Sequence, residues 1–198
     1  MDVPNSVIEA CKAGDPRAFE ELVKLTHKDV YSLAYRLVGN PDDAAEVAQE
    51  TYMKLLRSIR QYRGDSKFST WLYRVTSSVA ITGLRKRSRQ RLDVALDEGQ
   101  WDMIPADPSA DPAQRFEREA LKDRLDGCLR ALPVGYRSVV VLKDIYGFSL
   151  AEIGKQLGIS EGAAKVRLFR ARQRLKEMLY EDGPVDYEDR KESGDAMS

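Results

Sequence analysis

Residues 149–175 read SLAEIGKQLGISEGAAKVRLFRARQRL, two helix patterns around a short turn, the second of them cationic. Ser149 with Glu152 three residues on predicts a capping box, in which each side chain satisfies a free backbone N–H of the first helical turn. Ile153 and Leu157 lie one turn apart on an inner face, Gly158 supplies the left-handed residue that ends the helix, and Ser160 can cap the next one. In that next helix Ala164, Leu168, Ala171 and Leu175 form one apolar stripe. The opposite side carries Ala163, Val166, Phe169, Arg170 and Gln173, with Lys165, Arg167, Arg172 and Arg174 around it. Six cations stand against one Glu between 161 and 176. Solvated helix faces usually mix their signs, so this pattern points to a helix-turn-helix that reads DNA rather than to a plain basic surface.

A net charge of zero over 198 residues conflicts with that reading only on average, because the charge is segregated. Residues 84–91 hold five basic groups and no acid; residues 92–112 hold six acids and no base; the tail 181–198 has seven acids and two bases. Two basic surfaces and two acidic spacers are expected. Pro105, Pro108 and Pro112, set among Asp and Ala, predict an extended, self-repelling linker.

Upstream, Asp15–Pro16 and Asn40–Pro41 each read as a cap followed by a helix-starting proline, the second with Asp42 and Asp43 where the helix dipole favours anions. Apolar spacing from Ala18 to Val38 predicts helices of a first core. In the next helix Ala44, Ala48, Tyr52, Leu55, Leu56 and Ile59 are expected inside, leaving Glu46, Gln49, Glu50, Met53, Lys54 and Arg57 outside. A further helix over 68–89 begins aromatic and ends basic. Phe68, Trp71, Tyr73 and Arg74 ahead of Arg85, Lys86 and Arg87 fit single-stranded DNA, with bases on rings and phosphates on cations. They fit equally a core helix with a solvated basic end. A second helical unit follows from about 115 to 180.

The expected fold is all-α, two small helical domains joined by a flexible acidic linker, the second a helix-turn-helix domain. Cys11 and Cys128 have no thiol or histidine at metal-ligand spacing and read as buried small hydrophobes, with His27 the one histidine; no metal or cofactor is expected. No nucleophile has a histidine partner at hand and no Gly-rich loop follows a strand, so no enzyme is expected. No apolar run approaches the ~20 residues that span a bilayer, and no signal-peptide core is present; a cytoplasmic protein without membrane insertion is expected.

Three stretches, DDAAEVAQETYMKLLRSI at 42–59, FSTWLYRV at 68–75 and ALPVGYRSVVVLKDIYGFSLAEIGKQLGISEGAAKVRLFRARQRL at 131–175, together resemble bacterial sigma factors of the sigma-70 family, extracytoplasmic-function type. The resemblance covers about residues 15–178 and implies a factor that binds core RNA polymerase, directs it to promoters and helps open them. It implies a region 2 domain at 1–91, the linker at 92–112, a region 4 domain at 113–180 and an acidic tail at 181–198. Asp43, Glu46, Gln49 and Glu50 match the helix that docks on the clamp helices of the polymerase's largest subunit, and the flap region is a second implied contact. Phe68, Trp71, Arg74, Ser78, Arg85, Lys86 and Arg87 match the segment that engages the minus-ten element as duplex and single strand, where flipping a base costs a few kcal/mol of unstacking. Ala163, Lys165, Val166, Arg167, Phe169, Arg170 and Gln173 match the reader of the minus-thirty-five element, Arg170 being suited to a forked contact with guanine. An anti-sigma factor is implied as a partner.

The chain departs from the family at Ser78, Thr82, Ala163 and Val166, where Asn, Asp, Thr and Ser are common, which puts the promoter sequence in doubt. Two rival readings are a stand-alone helix-turn-helix regulator that binds duplex DNA without polymerase, and an adaptor whose basic helix binds an acidic protein.

Overall fold

The computed structural model describes residues 2–92 and 115–180, with side chains over 2–87 and 123–180. The expected acidic connection, Leu92 apart, and the acidic tail lie outside the described residues.

The described chain is helical throughout, and local chemistry explains where its helices begin and end. Helix α1 (Asn5–Ala13) stops at Gly14 in the left-handed region. Asp15 caps α2 (Pro16–Val38) by accepting from the Arg17 N–H at 2.9 Å, and Pro16 opens the helix with the φ it already has. What reads in sequence as several helices is here one long helix. It ends at Gly39, φ +86°. Asn40 then caps α3 (Pro41–Ser58), accepting from the Asp43 N–H at 2.9 Å, and a 3-10 turn (Ile59–Gln61) prolongs α3. Helix α4 (Phe68–Leu92) completes the first unit.

Beyond the undescribed connection come α5 (Arg115–Ala131) and α6 (Val134–Val140), which widens into a π turn (Val141–Ile145). Helices α7 (Leu150–Leu157) and α8 (Glu161–Tyr180) form the helix-turn-helix. The expected capping box is present: the Ser149 hydroxyl accepts from the Glu152 N–H at 3.2 Å while the Glu152 carboxylate accepts from the Ser149 N–H at 2.9 Å. Gly158 ends α7 at φ +62°, and the Ser160 hydroxyl accepts from the Ala163 N–H at 3.1 Å.

One core cluster gathers Val7, Ile8, Cys11, Leu22, Val30, Tyr52, Leu55, Phe68 and Leu72 at one end of α2, α3 and α4. Inside it the Thr26 hydroxyl donates to Leu22 O at 2.7 Å and so receives the Tyr52 hydroxyl at 2.9 Å, which keeps both buried polar groups satisfied. At the other end of the same helices Leu33, Leu37, Val47, Val79 and Ile81 share a second cluster with Leu129, Val139, Leu142, Ile153 and Leu168. The two units are thus packed on a common core. Each fully buried Leu in it contributes about 1.5–3 kcal/mol of burial.

One inward assignment changes and one helix is added. Leu56, expected inside α3, is 60% exposed, because at the end of α3 the core side narrows to Tyr52, Leu55 and Ile59. Helix α1 was not expected as an element, although Val7, Ile8 and Cys11 are buried at helical spacing and Gly14 ends it.

Candidate nucleic-acid and polymerase interface

Helix α8 turns Ala164, Leu168, Ala171 and Leu175 into the core, as its spacing requires. Its other side presents Lys165, Val166, Phe169, Arg170 and Gln173 to solvent, with Ala163 and Arg167 half-buried at the edges. Phe169 is 64% exposed and Val166 50%. Exposed apolar side chains beside cations on one helix face suit a groove, where they meet thymine methyls and phosphates together. Arg172 lies apart from this face: its fork is bound to Asp144, at 2.6 and 2.9 Å. Arg174 covers the Tyr136 ring at 5.0 Å.

Helix α4 places the minus-ten candidates unevenly. Phe68 is buried, packed against Tyr62 and Trp71 with ring centroids 5.3 and 5.8 Å away. Its ring is therefore part of the wall behind Trp71, not a free platform for a base. Trp71 itself is half-buried. Arg74 makes a charged fork onto Glu152 at 2.6 and 2.9 Å, and Tyr73 stands edge-on to Tyr146 at 4.8 Å. Ser78 accepts from Lys54 Nζ at 3.4 Å. Arg85 lies over Gly158, where a Cβ would stand 2.7 Å from its Nη2. Lys86 is exposed.

Arg87 reaches across to α3, pairing with Asp43 and, at 3.1 Å, with Glu46. The basic end of α4 and the acidic start of α3, assigned to different partners by sequence, are thus in contact. Along α3, Glu46, Gln49 and Glu50 share the exposed face with Met53, 53% exposed, and Leu56. Polar groups around an apolar pair are the composition of a protein-docking surface.

Sequence reasoning passed over Arg137. It is 6% exposed, and its guanidinium donates to Leu37 O at 3.1 Å, Val38 O at 3.2 Å and Arg130 O at 3.1 Å. Burial pushes it down to about 10, which leaves it cationic at neutral pH. The signal was a lone cation in the apolar run VGYRSVVVL at 134–142, which has to find buried acceptors. In sequence Glu152 shows only its capping role. Its carboxyl is held below the usual range by the Ser149 N–H and hydroxyl and then by Arg74.

Among the described residues no cluster of three or more His, Cys, Asp or Glu could hold a metal, and no helix is long and apolar enough to cross a membrane.

Two family models match: Sigma-70 region 2 over residues 22–90 and Sigma-70, region 4 over residues 122–175. The chain is 38% identical to the ECF RNA polymerase sigma factor SigE of Mycolicibacterium smegmatis, over 90% of this chain and 69% of that one. It is 34% identical to the ECF RNA polymerase sigma factor SigW of Bacillus subtilis, over 87% of this chain and 94% of that one. In fold it is similar to the sigma factor RpoE of Bartonella quintana, solved with the anti-sigma factor NepR, at a TM-score of 0.57, 24% identity, and coverage of 81% of this chain and 96% of that one. With both regions matched in order, and with relatives 38% and 34% identical covered over 69% and 94% of their lengths, the chain belongs to the extracytoplasmic-function group of sigma-70 family sigma factors.

Proposed function

We propose that this chain is a transcription initiation factor that binds core RNA polymerase, brings it to specific promoters and helps separate the strands. The observation that carries this is the coexistence in one chain of an exposed Val166, Phe169 and Arg170 face on a helix-turn-helix and an exposed Glu46, Gln49, Glu50 and Met53 face on a different helix. A regulator acting on duplex DNA alone has use for the first and none for the second.

In this reading residues 1–91 dock on the clamp helices and engage the minus-ten element, and residues 113–180 read the minus-thirty-five element and face the flap. Asp43, Glu46, Gln49 and Glu50 serve docking. Trp71, Arg74, Ser78, Arg85, Lys86 and Arg87 serve the minus-ten strand, with Phe68 supporting Trp71 from the core. Lys165, Val166, Arg167, Phe169, Arg170 and Gln173 serve the major groove, where Ala163 allows close approach. The factor acts without chemistry of its own, in the cytoplasm, and an anti-sigma factor is a further partner.

Run-off transcription on fragmented genomic DNA tests this reading. With core polymerase the chain yields discrete transcripts that core alone does not. Tight duplex binding with no transcript on any fragment assigns the chain to the stand-alone regulators instead.

A further inference from the structure

Helix α8 carries apolar side chains on two sides. Ala164, Leu168, Ala171 and Leu175 face the core. At about 100° per residue, Val166 points almost directly away from that stripe, and Phe169, three residues on, is its surface neighbour. Both are exposed by half or more, so the pair adds little to the fold.

The groups around Val166 leave it at the centre of the exposed face. Arg172 is bound to Asp144 and Arg174 covers the Tyr136 ring. Arg167 lies against the start of α6, where a Cβ on Gly135 would stand 3.2 Å from its Nη1. Lys165 and Arg170 stand exposed on either side of Val166. One turn before it, Gly162 and Ala163 project almost no side chain. In a major groove the side chain opposite the core goes deepest, while cations at the margins meet phosphates. The deepest point of this helix is therefore an alkyl group.

What a valine can meet there follows from the chemistry of the groove. Guanine presents N7 and O6, adenine N7 and N6–H, cytosine N4–H and thymine O4, all of them polar. Pressing a branched alkyl group on such an edge removes its water and returns no hydrogen bond. The methyl on C5 of thymine is the one apolar group on that floor, and its contact with Val166 takes apolar area of both out of water. The methyl lies away from the pairing edge. A cytosine methylated at C5 offers the same group at the same point.

We propose that Val166, with Phe169 as its side wall, reads the pyrimidine C5 methyl group, so that 5-methylcytosine is accepted where thymine is and uracil is not. Cytosine methylation at that position then raises occupancy of the promoter. The proposal rests on α8 reading the minus-thirty-five duplex.

The test uses holoenzyme assembled from the full chain and core polymerase, on a promoter fragment found by run-off transcription. Its upstream segment is synthesised with each thymine in turn replaced by deoxyuridine, which removes the methyl alone. At the responsive position, cytosine and 5-methylcytosine, each paired with guanine, are compared as well. Competition binding reads relative affinity. One thymine, or two adjacent ones, is expected to lose about fourfold with its methyl, as one buried carbon requires. At the same position 5-methylcytosine is expected to bind about fourfold tighter than cytosine. Val166→Ala brings both ratios below about twofold, whereas Val166→Ile keeps them; the side chain lies outside the core, so neither change disturbs the fold. Any effect of uracil on duplex shape is common to all variants, so the change in ratio isolates the side chain. Uracil tolerated at every thymine, in a segment whose scrambling abolishes binding, overturns the methyl reading and leaves α8 as reader of that segment. Ratios that survive Val166→Ala in full overturn the assignment to Val166. A segment that can be scrambled without effect overturns the reading by α8 itself.

Discussion

A Cβ placed on Gly154 would stand 2.8 Å from the carbonyl oxygen of Ile159. Helix α7 meets the turn into α8 at this point, and Ile159 closes it by donating its N–H to Gly154 O at 3.0 Å. Helix propensity alone says Gly154→Ala gains up to about 1 kcal/mol. The contact is with backbone, which cannot rotate aside, so overpacking of about 1–3 kcal/mol wins and the variant is less stable. Urea unfolding checks the sign: an unchanged or higher midpoint contradicts the close packing of the turn.

On α8, Arg170 has an exposed side chain on the same face as Val166 and Phe169. Arg170→Ala is expected to cost about 1–3 kcal/mol at one promoter position and to relax choice there. Arg172 is different, since Asp144 already holds its fork. Asp144→Ala releases that cation and is expected to steepen the dependence of DNA binding on salt by about 0.9 in log–log slope, one further phosphate contact. Salt titrations on matched and random duplexes separate the two effects. Equal loss on every sequence for Arg170→Ala removes it from base reading.

Glu46 and Gln49 stand exposed on α3, so placing cations at both positions leaves the core untouched. The double variant Glu46→Arg with Gln49→Arg loses Glu46's pairing with Arg87, a surface contact whose loss costs within about 1 kcal/mol. It is expected to unfold at nearly the original temperature and yet fail to co-elute with core polymerase. Retained co-elution shows that docking uses another face.

Glu152 links stability to pH. Its carboxyl lies below the ordinary 4.5 in the folded chain, first through the Ser149 N–H and hydroxyl and then through Arg74. The unfolded chain therefore takes up this proton first as pH falls. The contribution is complete above 4.5 and is lost as the pH drops through the lowered folded value. Glu152→Gln is expected to be less stable than the unaltered chain near neutral pH and to converge with it in acid. A stability gap independent of pH excludes the charge on Glu152 as its source.

The helix-turn-helix was legible because its signals are local. Ser149 with Glu152, Gly158, Ser160 and the stripe from Ala164 to Leu175 lie within one short stretch, and each decides the backbone of its own neighbours. The exposed face of α8 follows from that stripe. Contacts between distant parts of the chain were not legible. Arg74 and Glu152 are 78 residues apart and Arg137 and Leu37 are 100 apart, and no periodicity in either segment encodes the partner. Phe68 misled for a related reason: an aromatic beside cations has the composition of a base platform, but Tyr62 and Leu72 enclose it in the core. Leu56 misled because a stripe drawn on spacing does not show where the core ends.

Permanganate oxidation of unpaired thymines on a promoter found by run-off transcription tests the central claim most directly. Reactive thymines around the minus-ten position are predicted only when this chain and core polymerase are both present. Thymines that stay protected in the complete mixture, or that react with core polymerase alone, contradict a role for this chain in opening promoters.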